Sequence, residues 1–333
     1  MTSVRGMGPL PALVEEREGT RTLQRLFDEI DLPLSIIPEP NHRMPLADLI
    51  DLFEYAARRT GDPLFGLTVG TTMGGKFGKW VDYALSAPTL GGHLERASRT
   101  LRYHQSGTRL TLSVRGDVAK YTYHIPVRPA HGARQHLEHT IPALLSCFRH
   151  YCGESWQPLR IEVGYGGDNR LSAVEDALGV PILANRSALS IVFPAADLAR
   201  ALLDNPARES PPTLHDLKAM VRQRPPSDIA GIVADIACTR LLEGRTDMEG
   251  AASRMGLAVR TLQRRLHEQG FTYRDILAQT RLDRARHLLT ETGQSVTEIA
   301  LCLGYEEPAH FTRAFRRATD MAPRTYRRMI ARV

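Results

Sequence analysis

Two stretches near the C-terminus, about fifty residues apart, repeat one pattern. The first reads Ala251-Ala252-Ser253-Arg254-Met255-Gly256 and then Thr261-Leu262-Gln263-Arg264-Arg265-Leu266. The second reads Ile299-Ala300-Leu301-Cys302-Leu303-Gly304 and then His310-Phe311-Thr312-Arg313-Ala314-Phe315. Ala252 and Ala300 are small enough for a following helix to approach closely, and Gly256 and Gly304 can take the positive φ that turns the chain sharply after a helix. Leu262 and Leu266, like Phe311 and Phe315, stand four apart and so share one helix face. The pattern constrains this part of the chain to two helix-turn-helix units.

If those pairs are core, the polar residues between and beside them face outward. On the first helix they are Arg260, Thr261, Gln263, Arg264 and Arg265; on the second, His310, Thr312, Arg313, Arg316 and Arg317. Arginine can bind guanine at two points and glutamine adenine, while any arginine can neutralise a phosphate. A single such helix can also be read as an ordinary amphipathic surface helix, a reading that two copies in register cut sharply. Charge agrees. From Ala234 onward there are 17 arginines and no lysine against 12 acidic residues, so five of the whole-chain excess of +6 lie in this last third. A basic helix-turn-helix pair implies double-stranded DNA as partner, with binding that weakens as salt rises.

From about Ile229 to Arg328 the chain resembles the two-motif DNA-binding domain of the AraC/XylS family of bacterial transcription regulators. The residues that carry the likeness are Ser295-Val296-Thr297-Glu298-Ile299-Ala300, Leu303-Gly304-Tyr305, Phe311-Thr312-Arg313-Ala314-Phe315-Arg316-Arg317 and Pro323-Arg324-Thr325-Tyr326-Arg327. The resemblance implies seven helices with a long one, Tyr273 to Thr290, joining the two units. Its buried contacts would come from Ile276, Leu277, Leu282, Ala285, Leu288 and Leu289. It also implies that Arg260, Gln263 and Arg264 read DNA in the first unit, with His310, Thr312 and Arg313 at matching places in the second. Two departures stand out. Ala258 occupies a position where Ser or Thr commonly caps the first reading helix, forfeiting about 1 kcal/mol. Glu306-Glu307-Pro308 precedes the second; the carboxylates suit a helix N-terminus but repel phosphate. Backbone contacts there are therefore expected from Arg313, Arg316, Arg317, Arg324 and Arg327.

At 333 residues the chain is long enough for two cores. Helices are expected at Leu23–Ile30, Leu46–Thr60, Leu90–Tyr103, Ala133–Tyr151 and Leu171–Leu178, with Phe65–Val69 a short apolar run. Strands are expected at Arg109–Arg115, Ala119–Pro126, Leu159–Val163 and Ala188–Phe193, the first two joined by a Gly116-Asp117 turn. The fold expected is therefore a mixed α/β N-terminal effector domain plus an all-α C-terminal domain with two helix-turn-helix units. Prolines at 206, 211, 212, 225 and 226 bracket a short helical segment, Leu214–Arg222, which sets the expected division: residues 1–205 for effector binding and dimerisation, 206–227 as linker, 228–333 for DNA.

The N-terminal part also resembles one branch of that family, the branch of the ornithine-utilisation regulator, with a domain of arabinose-binding type. The matching runs are Gly61-Asp62-Pro63-Leu64-Phe65-Gly66-Leu67, Ser86-Ala87-Pro88-Thr89-Leu90-Gly91 and Leu178-Gly179-Val180-Pro181. The likeness implies a domain that senses a small molecule, such as an amino acid, amine or other metabolite, and self-associates. Trp80, Tyr83, Tyr103 and His104 join apolar bulk to polar tips and are the candidate effector-binding residues; as core residues with satisfied tips they would look the same.

Enzymatic function finds little in the sequence. His131, His136, Glu138, His139 and His150 suggest a metal, but no third ligand is apparent, and surface histidines on a helix are the plainer account. Gly164-Tyr165-Gly166-Gly167 reads as a turn, not a dinucleotide fingerprint, and no Walker loop or nucleophile elbow occurs. Cys147, Cys152, Cys238 and Cys302 form no paired motif and read as reduced packing residues. No leader-like or membrane-length apolar run appears. The expectation is a cytoplasmic, homodimeric, effector-responsive activator of a metabolic operon that meets RNA polymerase, with no cofactor, catalytic site or metal. The alternatives are a constitutive repressor whose N-terminal domain only dimerises, and a metal-dependent enzyme fused to DNA-binding helices.

Overall fold

In the computed structural model, which describes residues 1–74, 78–126, 132–203, 213 and 228–330, the chain separates into two compact units. The first comprises Met1–Asp31 and Pro45–Pro225, the second Leu32–Met44 and Pro226–Val333. The contiguous division read from the sequence does not contain the transfer of residues 32–44 to the second unit. The expected helix at Leu214–Arg222 lies outside the described residues.

The first unit is mixed α/β. Its helices are α1 (Leu10–Glu18), α2 (Thr20–Glu29), α3 (Leu46–Thr60), α4 (Phe65–Met73), α5 (Lys79–Leu85), α6 (Leu90–Thr100), α7 (Arg134–Cys152) and α8 (Asn169–Leu178). Its five-stranded sheet consists of β1 (Arg109–Arg115), β2 (Val118–His124), β3 (Arg160–Glu162), β4 (Ile182–Leu183) and β5 (Leu189–Pro194), in the order β1-β2-β5-β3-β4. All neighbours are antiparallel except β3 and β4. The β1–β2 hairpin closes on Arg115 opposite Val118, and Gly116 there has φ +57°, which a Cβ would resist. Tyr121, Phe148 and Phe193 are fully buried between sheet and α7, with Trp156 stacked on Phe148 at 4.8 Å and donating from Nε1 to Asp197 Oδ2 at 2.9 Å.

The apolar run at Phe65–Val69 belongs to helix α4, and two glycines explain its place. A Cβ on Gly66 or Gly70 would overlap the backbone carbonyl of Gln135 or His139 on α7, so the two helices lie backbone against backbone. Gln135 completes the joint by accepting from Gly66 N at 2.7 Å and donating to Pro63 O at 3.0 Å. This packing turns the N-terminal half of α7 inward. His136 and His139 are consequently buried, not surface histidines as expected, and lie beside Phe53 on α3.

The second unit is helical: α9 (Ile229–Leu241), α10 (Met248–Arg254), α11 (Val259–Glu268), α12 (Tyr273–Glu291), α13 (Val296–Cys302), α14 (Pro308–Thr319) and α15 (Pro323–Ile330). Its starts are well signalled. Asp228 and Asp247 accept from Gly231 N and Gly250 N, and Thr272 with Asp275 and Ser295 with Glu298 form reciprocal capping boxes on α12 and α13. Against these helices lies the segment 32–44. Arg284 on α12 grips Glu39 with both arms, at 3.0 and 2.5 Å; the His42 ring meets the Thr239 hydroxyl on α9 at 3.0 Å; and Arg43 lies 3.4 Å from Asp235. Burial pulls the His42 imidazole down to about 4, so the ring is neutral there.

Candidate nucleic-acid interface

Each reading helix is anchored by the pair the repeat singles out. Leu262 and Leu266 are fully buried with Ala230, Val233, Ala252 and Ile276, and Phe311 and Phe315 with Ala285, Leu289, Ile299 and Ala300. The turn glycines have φ +62° at Gly256 and +69° at Gly304. Helix α12 serves both cores, giving Ile276 to one and Ala285, Leu288 and Leu289 to the other, with Leu282 partly buried. The two units are thus welded to one rod.

The polar residues then fall where helical geometry puts them. On α11, Arg260, Gln263, Arg264 and Arg265 are exposed and Thr261 is half-buried. Arg264 lies 3.7 Å from Glu268, a loose pair at a surface site, where such pairs contribute little and leave the guanidinium available. Ala258 makes no side-chain cap, as its chemistry requires. On α14, His310, Arg313, Arg316 and Arg317 are exposed, with His310 3.6 Å from Glu307. Thr312 is half-buried and its hydroxyl donates back to Pro308 O at 3.0 Å, which turns it toward its own helix. Arg324 on α15 is exposed.

Arg327, expected at phosphate, is engaged within the fold. Its guanidinium donates to Leu289 O at 3.0 Å and Gln294 O at 2.6 Å, closing the end of α12 onto α15. Leu289 lies in the last turn of α12, where carbonyls lack an intrahelical partner, and Gln294 in the loop beyond it, so the arginine ties the helix terminus to its loop. Arg281 was missed for the same reason. It donates to Leu303 O at 2.8 Å and Gly304 O at 3.0 Å and covers the Tyr305 ring at 4.6 Å, which fixes the turn of the second unit to the connecting helix. Arg240 is buried and pairs with Asp247, the cap of α10. A basic residue by itself does not announce whether it faces a phosphate or a carbonyl.

In the first unit, Trp80 and His104 of the candidate effector residues come together, their rings stacked at 5.5 Å. Tyr83 lies under Arg96 at 5.3 Å and Tyr103 under Arg102 at 5.3 Å, so these rings have cationic covers instead. Nearby polarity is buried and interlinked: Tyr123 meets His136 Nε2 at 3.2 Å and accepts from Gln105 at 2.8 Å. Burial lowers His136 to about 4 and His139 well below its ordinary value. Among the described residues no cluster of histidine, cysteine and carboxylate is arranged to hold a metal, and no helix is long and apolar enough to cross a membrane. His131 lies outside the described residues.

Comparison with known proteins agrees with both units. Residues 21–202 match the family described as the arabinose-binding domain of AraC transcription regulator, N-terminal, and residues 251–329 match a helix-turn-helix domain. The chain is 27% identical over 305 residues to the HTH-type transcriptional regulator VirS of Mycobacterium tuberculosis, covering 89% of this chain and 88% of that protein. It is 27% identical over 319 residues to the ornithine utilization regulator of Pseudomonas aeruginosa, covering 91% and 90%. Over 80 residues it is 42% identical to the HTH-type transcriptional activator RhaS of Klebsiella pneumoniae, covering 24% and 29%. With more than half its length matched by one family and the paired reading helices in place, the chain belongs to the AraC transcription regulators, carrying a ligand-binding N-terminal domain and a helix-turn-helix DNA-binding domain.

Proposed function

We propose that the chain is an effector-responsive activator of a metabolic operon, acting in the cytoplasm as a homodimer and contacting RNA polymerase. The observation that carries the DNA part is the shared rod. Because α12 contributes to the cores under both α11 and α14, the two exposed arginine faces keep a fixed relation. Helices so held suit successive turns of one face of B-DNA, about 34 Å apart. On this reading Arg260, Gln263, Arg264 and Arg265 carry the sequence preference, with Thr261 beside them. His310 and Arg313 read less, and Thr312 supports its helix. Arg316, Arg317 and Arg324 hold phosphate.

Activation is favoured by the likeness of the DNA-binding unit to RhaS, named an activator. The effector acts on the first unit, where the stacked Trp80 and His104 rings are the candidate contact for an aromatic or hydrogen-bonding group. An effector shifts the protein between states only by its difference in affinity for them. The test is a footprint of the full chain on its own promoter region. Two protected tracts a helical turn apart, each lost when its reading helix is disabled, support the reading; one tract insensitive to either helix overturns it.

A further inference from the structure

In the sequence Glu138 stands in a histidine-rich group whose metal reading is set aside, and Gly164–Gly167 reads as a mere turn. In the fold the two meet. Glu138 on α7 is wholly buried. Its Oε1 accepts from Arg134 Nε at 2.7 Å and from the Tyr165 hydroxyl at 3.2 Å, while Arg134 Nη1 donates to Asp168 at 2.6 Å and the guanidinium covers the Tyr165 ring at 4.7 Å. Arg170 donates from Nη2 to Pro63 O at 2.8 Å and acts electrostatically on Glu138.

What is missing from this network is specific. An arginine and a carboxylate ordinarily close a two-point fork, yet here the fork is made at one point. Glu138 Oε2 has no hydrogen-bond partner, nor have Arg134 Nη2 and Arg170 Nε, and all three atoms are shielded from solvent. A buried carboxylate oxygen and two buried guanidinium N–H groups left unsatisfied are each costly. Oε2 can take a cationic donor, and the two guanidinium N–H groups an anionic acceptor. Over them lies the loop of Tyr165 and Asp168, in which three of the four residues 164–167 are glycine and Asp168 is half-exposed. That composition gives the cover backbone freedom.

We propose that this cluster is a binding site for a small zwitterion, an ammonium group meeting Glu138 Oε2 and a carboxylate meeting Arg134 Nη2 and Arg170 Nε, admitted by movement of the 164–168 loop. The inference deepens the reading of the first unit as the sensing unit and rests on it. A ligand with only one of the two charges completes only half of the network, so selection is for both together on a short carbon spacing, as in a free amino acid.

The test uses the full chain in a thermal-shift screen with the twenty standard L-amino acids. Whichever gives the largest shift is then compared by calorimetry with its decarboxylated amine and its deaminated acid. At least one amino acid should stabilise the chain, with both single-charge analogues weaker by about tenfold or more, and Glu138→Gln and Arg170→Ala should each lose about tenfold in affinity. Arg170 is the more exposed of the two, so its variant keeps the test decisive if Glu138→Gln fails to fold. No shift with any amino acid, equal binding of a single-charge analogue, or unchanged affinity in a folded variant overturns the site. Footprints taken on the same samples separate the two failures: protected DNA without amino-acid binding sinks the site alone, whereas loss of the footprint from the unaltered chain sinks the functional reading.

Discussion

Glu39 and Arg284, 245 positions apart, form a two-point ion pair that fastens the 32–44 segment to the connecting helix of the DNA-binding unit. The hydrogen bond from Arg284 holds the Glu39 carboxyl below its usual range despite burial. With side chains 14% and 25% exposed, the pair is partly screened, so removing either partner should cost about 1–3 kcal/mol, less than for a fully buried pair. Expected in denaturant unfolding is a loss of that size for Glu39→Ala and for Arg284→Ala, with the double variant well short of their sum. Additive losses would mean that the two side chains contribute independently and the pair does not.

A pH dependence follows from the buried histidines of the first unit. His136, lowered to about 4 by burial, is neutral when folded and takes up a proton on unfolding below its ordinary 6.5. The sign is that of a depressed pKa: its contribution is complete above 6.5 and is lost as pH falls from there toward 4. The slope is about 1.4 kcal/mol per pH unit for each such group. Glu54 and Glu138, both raised by burial, act in the opposite direction, so the total curve mixes signs. Comparison with His136→Asn isolates the one residue, and between pH 4.5 and 6 the variant's stability should fall less steeply by nearly that slope. Parallel curves would show that the ring is protonated in the folded chain.

The joint between α4 and α7 gives a steric prediction. Alanine is a better helix former than glycine by about 1 kcal/mol, yet at Gly70 its Cβ would overlap the His139 carbonyl, and backbone cannot swing aside as a side chain can. Overpacking of this kind outweighs propensity, and Gly70→Ala should lose about 1–3 kcal/mol. Thermal unfolding decides it, since a variant as stable as the parent would mean the helices stand further apart.

Where a residue's role was set by its own segment, the sequence was enough. The Leu46–Thr60 helix and the Arg109–Arg115 strand were legible to the residue from periodicity and turn chemistry, and the four anchors Leu262, Leu266, Phe311 and Phe315 from their spacing. Illegible were roles set by a distant partner. Nothing near His136 says that two glycines seventy and sixty-six positions earlier will let helix α4 pack against its backbone. Arg327 resembles Arg324 in sequence but ends on the Leu289 carbonyl in the last turn of α12 and the Gln294 carbonyl of the loop that follows. Segment 32–44 gives no compositional warning that it leaves its neighbours for helices two hundred residues away.

The distinction between those arginines is also testable on DNA. Arg264 is exposed on α11 among the reading residues, so Arg264→Ala should cost about 1–3 kcal/mol on the preferred site and relax preference at one base position. Arg316 is exposed at the far end of α14, so Arg316→Ala should weaken binding to all sequences alike and flatten the salt dependence by about one counterion. Arg327→Ala should do neither. With its two carbonyls stranded, the second helix-turn-helix unit should lose about 1.5–3 kcal/mol of stability, while the folded fraction binds DNA with unchanged salt slope. Titrations of the three variants at several salt concentrations, each beside its unfolding curve, sort the roles. An Arg327→Ala protein of full stability whose salt slope drops by one would return that residue to the phosphate.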